Sequence, residues 1–179
     1  MVDVIKNKEL RDRAVRLGLC DQWQGLWSKD WDDRKMIERY KEGIDFCLAN
    51  DFPSVDYIKS HFSKEDLRKG GLFMDDKHSV LNEKIIVVRG SSDITARYNG
   101  NTVAEVYIAD GSKLRLYAKN HCHVVVHILG NAQVEIAQED DATVLAIKHS
   151  ETCGVHVEKG YITEKEELTY LKDILGRIC

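Results

Sequence analysis

The sequence lacks the features that mark several large classes of protein. Its 179 residues include a single proline, which argues against a disordered linker. No run approaches the roughly 18 apolar residues of a transmembrane helix. The first residues, Met-Val-Asp-Val-Ile-Lys, have no hydrophobic core of a secretion signal. These absences predict a soluble cytoplasmic protein without a membrane partner.

A basic surface and paired cysteines are also missing. The formal net charge is −4, whereas general binders of nucleic acids need a basic face, so we expect no nucleic-acid partner. The five cysteines are odd in number and form no Cys-x-x-Cys pair, which fits a reducing compartment better than a disulfide scaffold. No phosphate-cradling glycine loop and no serine–histidine–aspartate order is visible. The sequence therefore does not identify an enzyme.

A repeat of ten residues occupies positions 101–150. Each block has a small residue in second place and apolar residues in fourth and sixth place, the alternation of a strand with one buried face. Turn formers such as Asp110-Gly111 and Gly130-Asn131 lie at the block boundaries. The small residues are Thr102, Ser112, Cys122, Ala132 and Ala142.

Such a repeat folds either as an antiparallel meander or as a β-solenoid with parallel coils. The outward residues of the first, third and fifth blocks are mostly apolar, and those of the second and fourth are mostly polar. A coil of about twenty residues, with two strands per turn, separates them into an apolar wall and a polar wall. We therefore predict a short β-solenoid with irregular terminal units at residues 85–96 and at Val155 and Val157.

The apolar wall is a predicted interface, because large exposed apolar patches are rare on soluble monomers. We expect it to be covered by the N-terminal helices of the same chain or by another subunit. The predicted interface residues are Val103, Tyr107, Val125, His127, Leu145 and Ile147.

The decapeptides at 131–136 (Asn-Ala-Gln-Val-Glu-Ile) and 141–146 (Asp-Ala-Thr-Val-Leu-Ala) resemble a known repeat. The same style occurs in short decapeptide-repeat β-helix proteins of gut bacteria and their phages. Residues 19–27 and 41–47 are also similar to the N-terminal region of short members. This resemblance implies the β-helix fold and a bacterial or phage origin, but no established activity.

Residues 1–71 have the pattern of a helical region. Trp23, Trp27 and Trp31 follow helical spacing and share one side if that helix is continuous, where they either pack in a core or grip a partner. Residues 32–50 give the strongest helical pattern. Ser63 begins a capping box for a last short helix that stops at Gly70-Gly71.

A second capping box at residues 163–166 predicts a C-terminal amphipathic helix over residues 162–179. This helix would cover the open end of the solenoid or pair with the same helix of another subunit. Its apolar stripe consists of Leu168, Leu171, Ile174, Leu175 and Ile178.

Histidines on the third block are the candidate metal ligands. His121 and His123 share one face of a strand, as a metal site needs, and His127 follows on the same strand. The pattern faintly resembles the His-x-His motif of cupins, although the acidic ligand is missing. A coil of about thirty residues would stack His123 on Cys153, whereas about twenty residues place it beside Val103 and Thr143. Surface histidines without metal are the alternative interpretation.

The predicted architecture is α+β, with a helical region at 1–71, a β-solenoid at 72–161 and a C-terminal helix at 162–179. The leading hypothesis is a non-catalytic binding or assembly module of bacterial or phage origin. Its partner would be another protein or a second copy, and it would need no cofactor. One alternative is a metal-binding protein or metal-dependent enzyme that uses residues 121–127 and a transition metal. Another is a protein that sequesters a small molecule or inhibits a host factor.

Overall fold

The computed structural model describes residues 3–170 and 173, and the chain divides into two compact units. One unit contains residues 1–70 and 169–179, and the other contains Gly71–Leu168. The first is built from helices and the second from parallel strands. An N-terminal helical region followed by a β-solenoid is therefore confirmed.

Between residues 3 and 70, the first unit contains six short helices. They are α1 (Val4–Arg16), α2 (Asp21–Leu26), α3 (Asp33–Glu42), α4 (Ile44–Ala49), α5 (Val55–His61) and α6 (Lys64–Lys69). The side chain of Ser63 accepts a hydrogen bond from the backbone N–H of Asp66 and caps α6, as its capping box predicts. No helix in the described part of the chain combines the length and apolar character needed to span a membrane.

One expectation for this unit is wrong in detail. Residues 32–50 form two helices, because the chain breaks at Gly43, a poor helix former. The three tryptophans do not share one helix, since α2 ends at Leu26. They nevertheless pack in the core of this unit, where the Trp27 and Trp31 rings lie 5.0 Å apart and the Trp27 indole donates to Asn7. Their arrangement favours a role in core packing over a role in binding a partner.

The solenoid contains eleven strands in two parallel sheets and makes about four turns. The six-stranded sheet has the order β1-β3-β5-β7-β9-β11, and the five-stranded sheet has the order β10-β8-β6-β4-β2. The strands are β1 (Leu72–Met74), β2 (Lys77–Leu81), β3 (Ile85–Arg89), β4 (Asp93–Tyr98), β5 (Val103–Ile108), β6 (Lys113–Ala118), β7 (His123–Ile128), β8 (Gln133–Gln138), β9 (Thr143–Lys148), β10 (Gly154–Lys159) and β11 (Thr163–Glu166).

The strand register confirms the coil of twenty residues in the centre of the solenoid. Lys113 pairs with Gln133 in one sheet, and Val103, His123 and Thr143 pair in succession in the other. Coils are shorter at the N-terminal end, where Leu72 pairs with Val87. The terminal units are therefore irregular, as the weakening pattern predicts.

Alternate side chains of both sheets fill the interior and form one continuous core. The small second residue of each block lies directly after the turn, and Cys122 and Ala132 are completely buried there. Asp110, Asn120 and Asp140 adopt φ values of 64°, 63° and 55°, and Gly130 takes the same place at 61°. Aspartate, asparagine and glycine recur at these turns because they tolerate the left-handed conformation.

The start of the C-terminal helix is wrongly predicted. Residues Thr163–Glu166 form β11, which pairs in parallel with β9 at the end of the six-stranded sheet. Pairing with the free backbone groups of β9 outweighs the local capping pattern. Ile162 packs against the solenoid core. The apolar stripe at Leu171, Ile174, Leu175 and Ile178 lies outside the described residues.

Tyr98 is the largest side chain that is fully buried in the described solenoid. Its polar hydroxyl group belongs to a residue of the hydrophobic core. It lies on β4 opposite Ala118, whose small side chain leaves room for the ring. Among the described residues, its hydroxyl has no hydrogen-bond partner. Burial raises the pKa of Tyr98 well above its ordinary value of 10.0. The hydroxyl therefore carries a desolvation cost without compensation.

We expect Tyr98→Phe to raise the free energy of unfolding by about 1 kcal/mol, because the substitution removes a buried hydroxyl and keeps the ring. Above about pH 10 the unfolded chain loses the tyrosine proton first, so the parent should lose stability more steeply than the variant. Urea unfolding at several pH values measures both effects. Tyr117→Phe is the control, since Tyr117 is 39% exposed. A loss of stability in Tyr98→Phe would show that the hydroxyl is hydrogen-bonded.

Candidate functional site

The outward side chains of β3, β5, β7 and β9 form a surface that we call the six-stranded face. Its register aligns Glu105, Val125 and Leu145 in one column. A second column consists of Tyr107, His127 and Ile147. Because neighbouring parallel strands lie about 4.8 Å apart, side chains in one column are in direct contact.

Four side chains on this face form a hydrogen-bonded group, here named the histidine cluster: Glu105, Tyr107, His127 and His149. The Tyr107 hydroxyl donates to Oε1 of Glu105 at 2.9 Å, and the same oxygen lies 3.2 Å from Nε2 of His127. The other ring nitrogen of His127, Nδ1, lies 2.9 Å from Nε2 of His149. Nδ1 of His149 lies 3.2 Å from the backbone carbonyl oxygen of Glu167.

The rings of the cluster are stacked and largely shielded from water. The Tyr107 and His127 rings lie 4.6 Å apart and are nearly parallel, and the His149 ring lies in almost the same orientation at 5.2 Å from His127. Tyr107 and His149 are 7% and 6% exposed. The Glu105 side chain, in contrast, is 42% exposed. The cluster therefore combines buried imidazoles with a carboxylate at the surface.

The positions of these residues follow from the coil. Tyr107 and His127 occupy equivalent places on β5 and β7, and Glu105 shares their face because it lies two residues before Tyr107. His149 directly follows β9, and Glu167 directly follows β11. The coil thus brings two imidazoles and one carboxylate together from three different strands and corners.

A lysine and the two imidazoles influence the carboxyl group of Glu167. The ammonium of Lys165 is in contact with Glu167 and holds the pKa of its carboxyl group below the ordinary value. His149 and His127 contribute in the same direction but less strongly. Positive charge near the cluster thus stabilises the ionised form of Glu167.

The predicted metal ligands are dispersed over the surface. His121 lies 3.5 Å from Asp141, and His123 is exposed between Val103 and Thr143 in the register, while only His127 belongs to the cluster. Within residues 3–170 and 173, no three histidine, cysteine, aspartate or glutamate side chains are arranged to hold a metal ion. A metal site at His121, His123 and His127 stays a prediction.

The register excludes the coil of thirty residues that would place His123 on Cys153. Cys153 is buried, and its sulfur lies 3.0 Å from the backbone carbonyl oxygen of Ser150. Cys122 also points into the core, where burial raises the pKa of its thiol. Both are free thiols in the interior, and neither has the exposure that a reactive cysteine needs.

The six predicted interface residues do lie on the six-stranded face, but their exposure differs. Val103 is 68% exposed, whereas Tyr107 and Ile147 are each 7% exposed. Val125, His127 and Leu145 are half-buried. Their common face is therefore established, and their role in an interface stays a prediction.

The outer face of the five-stranded sheet is polar and carries ion pairs. Asp93 lies 2.8 Å from Arg115 and 3.9 Å from Lys77. Glu139 lies 2.7 Å from Lys159 and interacts with a second lysine. Hydrogen bonding and charge from Arg115 lower the pKa of Asp93. This face matches the predicted polar wall.

The sequence pattern missed Glu105 and His149 as members of one site. The signal for Glu105 is its place two residues before Tyr107, with His127 one coil later. His149 is harder to find, because it lies outside the strand repeat at a corner of the coil. Only the register shows that it meets His127.

Arg115→Gln should return the pKa of Asp93 towards its ordinary value of 3.8, because the largest cause of its depression is the hydrogen bond from Arg115. The pair stabilises the fold above the pKa of the unfolded aspartate, and this contribution is lost as the pH falls through the lower folded pKa. The contribution is small, because solvent screens an exposed ion pair. NMR titration of the Asp93 carboxyl carbon measures the shift. An unchanged pKa would contradict the pairing, and Lys159→Gln is the control, because Lys159 pairs with Glu139 instead.

Comparison of the chain with protein-family models, with curated proteins and with solved structures gave no match in any of the three.

Proposed function

We propose that this protein is a non-catalytic assembly module that associates with a second copy of itself through the six-stranded face. The observation that carries this proposal is the set of apolar side chains on that face, with Val103 of β5 68% exposed and Val125 of β7 and Leu145 of β9 half-buried. Burial of such side chains stabilises an association by roughly 25 cal/mol per Å². A rigid parallel sheet also holds them without a cost for ordering a loop.

The charge distribution of this face supports self-association. The commonest homodimers are two-fold symmetric, so each surface patch meets a copy of itself and like charges must stay apart. In the columns around Val125, Glu105 contacts His127 and Tyr107, and Lys165 of β11 continues the column of Ile147 with a charge of the opposite sign. The five-stranded face, in contrast, is lined with exposed lysine, arginine and glutamate side chains.

The ends of the solenoid are less suited to association than its face. The last strand of the six-stranded sheet, β11, exposes all four of its side chains, including Glu164, Lys165 and Glu166. Charged edge strands hinder pairing with a further strand. In the five-stranded sheet, the register of β10 shifts between Val157 and Lys159, and such irregularities also interrupt strand addition.

The ten-residue unit also supports a narrower proposal about origin. Its turns at Asp110, Asn120 and Asp140 and its twenty-residue register are what a decapeptide-repeat β-helix requires. We propose on this basis that the chain is related to the short repeat proteins of gut bacteria and their phages. A cytoplasmic location belongs to the same proposal.

We expect the parent protein to form a defined oligomer, measured as solution mass by light scattering over a range of concentrations. Val103→Glu should weaken the association at least tenfold, or about 1.4 kcal/mol, because it places a charge in an apolar contact. Val103 is exposed within one chain, so this variant should still fold. Leu145→Glu tests the centre of the same face.

Tyr117→Glu is the matched control, since it changes an exposed apolar side chain to glutamate on the five-stranded face. It should leave the solution mass of the parent unchanged. A parent that is monomeric at every concentration would refute self-association, and equal masses for all three variants and the parent would refute the choice of face.

A further inference from the structure

The turn between β4 and β5 contains an asparagine that is followed directly by a glycine. Asn99 is the only asparagine in the sequence that precedes a glycine, and both it and Gly100 are exposed. Gly100 adopts a φ of 66°, the left-handed conformation that recurs at these turns. A Cβ atom added to Gly100 would meet nothing within 4 Å. No side chain therefore shields the peptide bond between the two residues.

The main-chain N–H of Gly100 points to solvent. Among the described residues, this N–H has no hydrogen-bond acceptor. Asn131, at a later turn, is different, because the N–H that follows it belongs to the buried Ala132 and donates to the carbonyl oxygen of Leu129. A main-chain nitrogen attacks a neighbouring carbonyl carbon only after it has lost its proton. The nitrogen of Gly100 is therefore available for such a reaction, whereas that of Ala132 is protected.

The side-chain amide of Asn99 is held by a second asparagine. Nδ2 of Asn82 donates to Oδ1 of Asn99 at 2.9 Å, and the main-chain N–H of Asn99 donates to Oδ1 of Asn82 at 2.9 Å. A hydrogen bond to a carbonyl oxygen stabilises the negative charge that develops there when a nucleophile adds to the carbon. Asn82 and Lys84 line an open groove of about 510 Å³ beside the turn. Water and an ammonium group are therefore present on this side of the turn.

We infer that Asn99 is a site of spontaneous covalent modification, at which the asparagine is converted to aspartate and isoaspartate through a cyclic imide. The deprotonated nitrogen of Gly100 bonds to Cγ of Asn99, the bond from Cγ to the side-chain nitrogen breaks, and ammonia leaves with a proton from water. A water molecule then opens the five-membered ring. Cleavage of the bond from Cγ to the ring nitrogen gives aspartate, and cleavage of the bond from the former main-chain carbonyl carbon to that nitrogen gives isoaspartate. The reaction consumes one water, releases one ammonia and needs no oxidant or reductant.

The modification changes both the charge and the length of the turn. Either product adds one negative charge to a chain whose formal net charge is −4. Isoaspartate also adds one carbon atom to the main chain. It converts the main-chain carbonyl of Asn99, which accepts a hydrogen bond from the Thr102 hydroxyl at 2.8 Å, into a carboxylate outside the main chain. The longer turn leads into β5, whose pairing with β3 and β7 fixes the columns of the six-stranded face.

Peptide mapping by mass spectrometry, after incubation of the full-length protein at neutral pH and at a pH one unit higher, tests this site. Asn99 should be converted at least about tenfold faster than Asn131, because glycine has no side chain to hinder ring closure. The higher pH should accelerate the conversion about tenfold, since the deprotonated fraction of the Gly100 amide rises by that factor. Asn99→Gln is the matched variant. It keeps an amide but would need a six-membered ring, so position 99 should stay intact.

The same chain unfolded in urea separates the effect of the folded turn from that of the dipeptide sequence. Asn99 should react in the folded protein at a rate within about tenfold of that in urea, because an exposed turn reacts without local unfolding. A folded rate slower than this would show that the turn protects the amide and would refute the site. Equal rates for Asn99 and Asn131 in the folded protein would refute it as well. Val103→Glu should give the same rates as the parent, so the result is independent of self-association.

Discussion

The parallel hydrogen-bond ladder with its offset of twenty residues is the constraint on which the solenoid depends. Each strand from β5 to β9 pairs with the strand one coil away, so equivalent side chains of successive coils lie in columns. A shift of one residue would exchange the inward and outward sets on a strand. It would bury Lys113 and Arg115 and expose Leu114 and Leu116, which are 1% exposed. Burial of the core therefore fixes the register.

The same constraint explains which parts of the fold are visible in the sequence. Inward and outward alternation repeats in every block, and Asp110, Asn120 and Asp140 mark the left-handed turns, so coil length and both faces are predictable. The ends are less predictable because they have one neighbouring coil instead of two. At residues 163–166 the local pattern indicates a helix, yet the unpaired edge of β9 selects a strand. Long-range pairing there is stronger than local preference.

The candidate site shows a similar limit. Once the coil length is known, the sequence alone predicts that Tyr107 and His127 lie in one column. The partner of His127 across the next coil is His149, which lies after the strand, where no repeat defines the direction of a side chain. In the helical unit, the break at Gly43 and the separation of the three tryptophans are equally hard to predict from a local pattern. Patterns predict contacts inside a repeat, whereas corners and breaks depend on the path of the chain.

The six-stranded face thus combines two surfaces of different character on one rigid support. Val103 and Val125 offer apolar area near one end of the strands, and His127 and His149 form a shielded polar group near the other end. Glu105 lies between them and is the polar residue that both share, since it stacks in the column of Val125 and also contacts His127. Any partner that covers the apolar column must therefore change the solvent exposure of Glu105. Contact at the apolar surface would therefore also change the surroundings of His127, because the carboxylate of Glu105 lies 3.2 Å from its ring nitrogen.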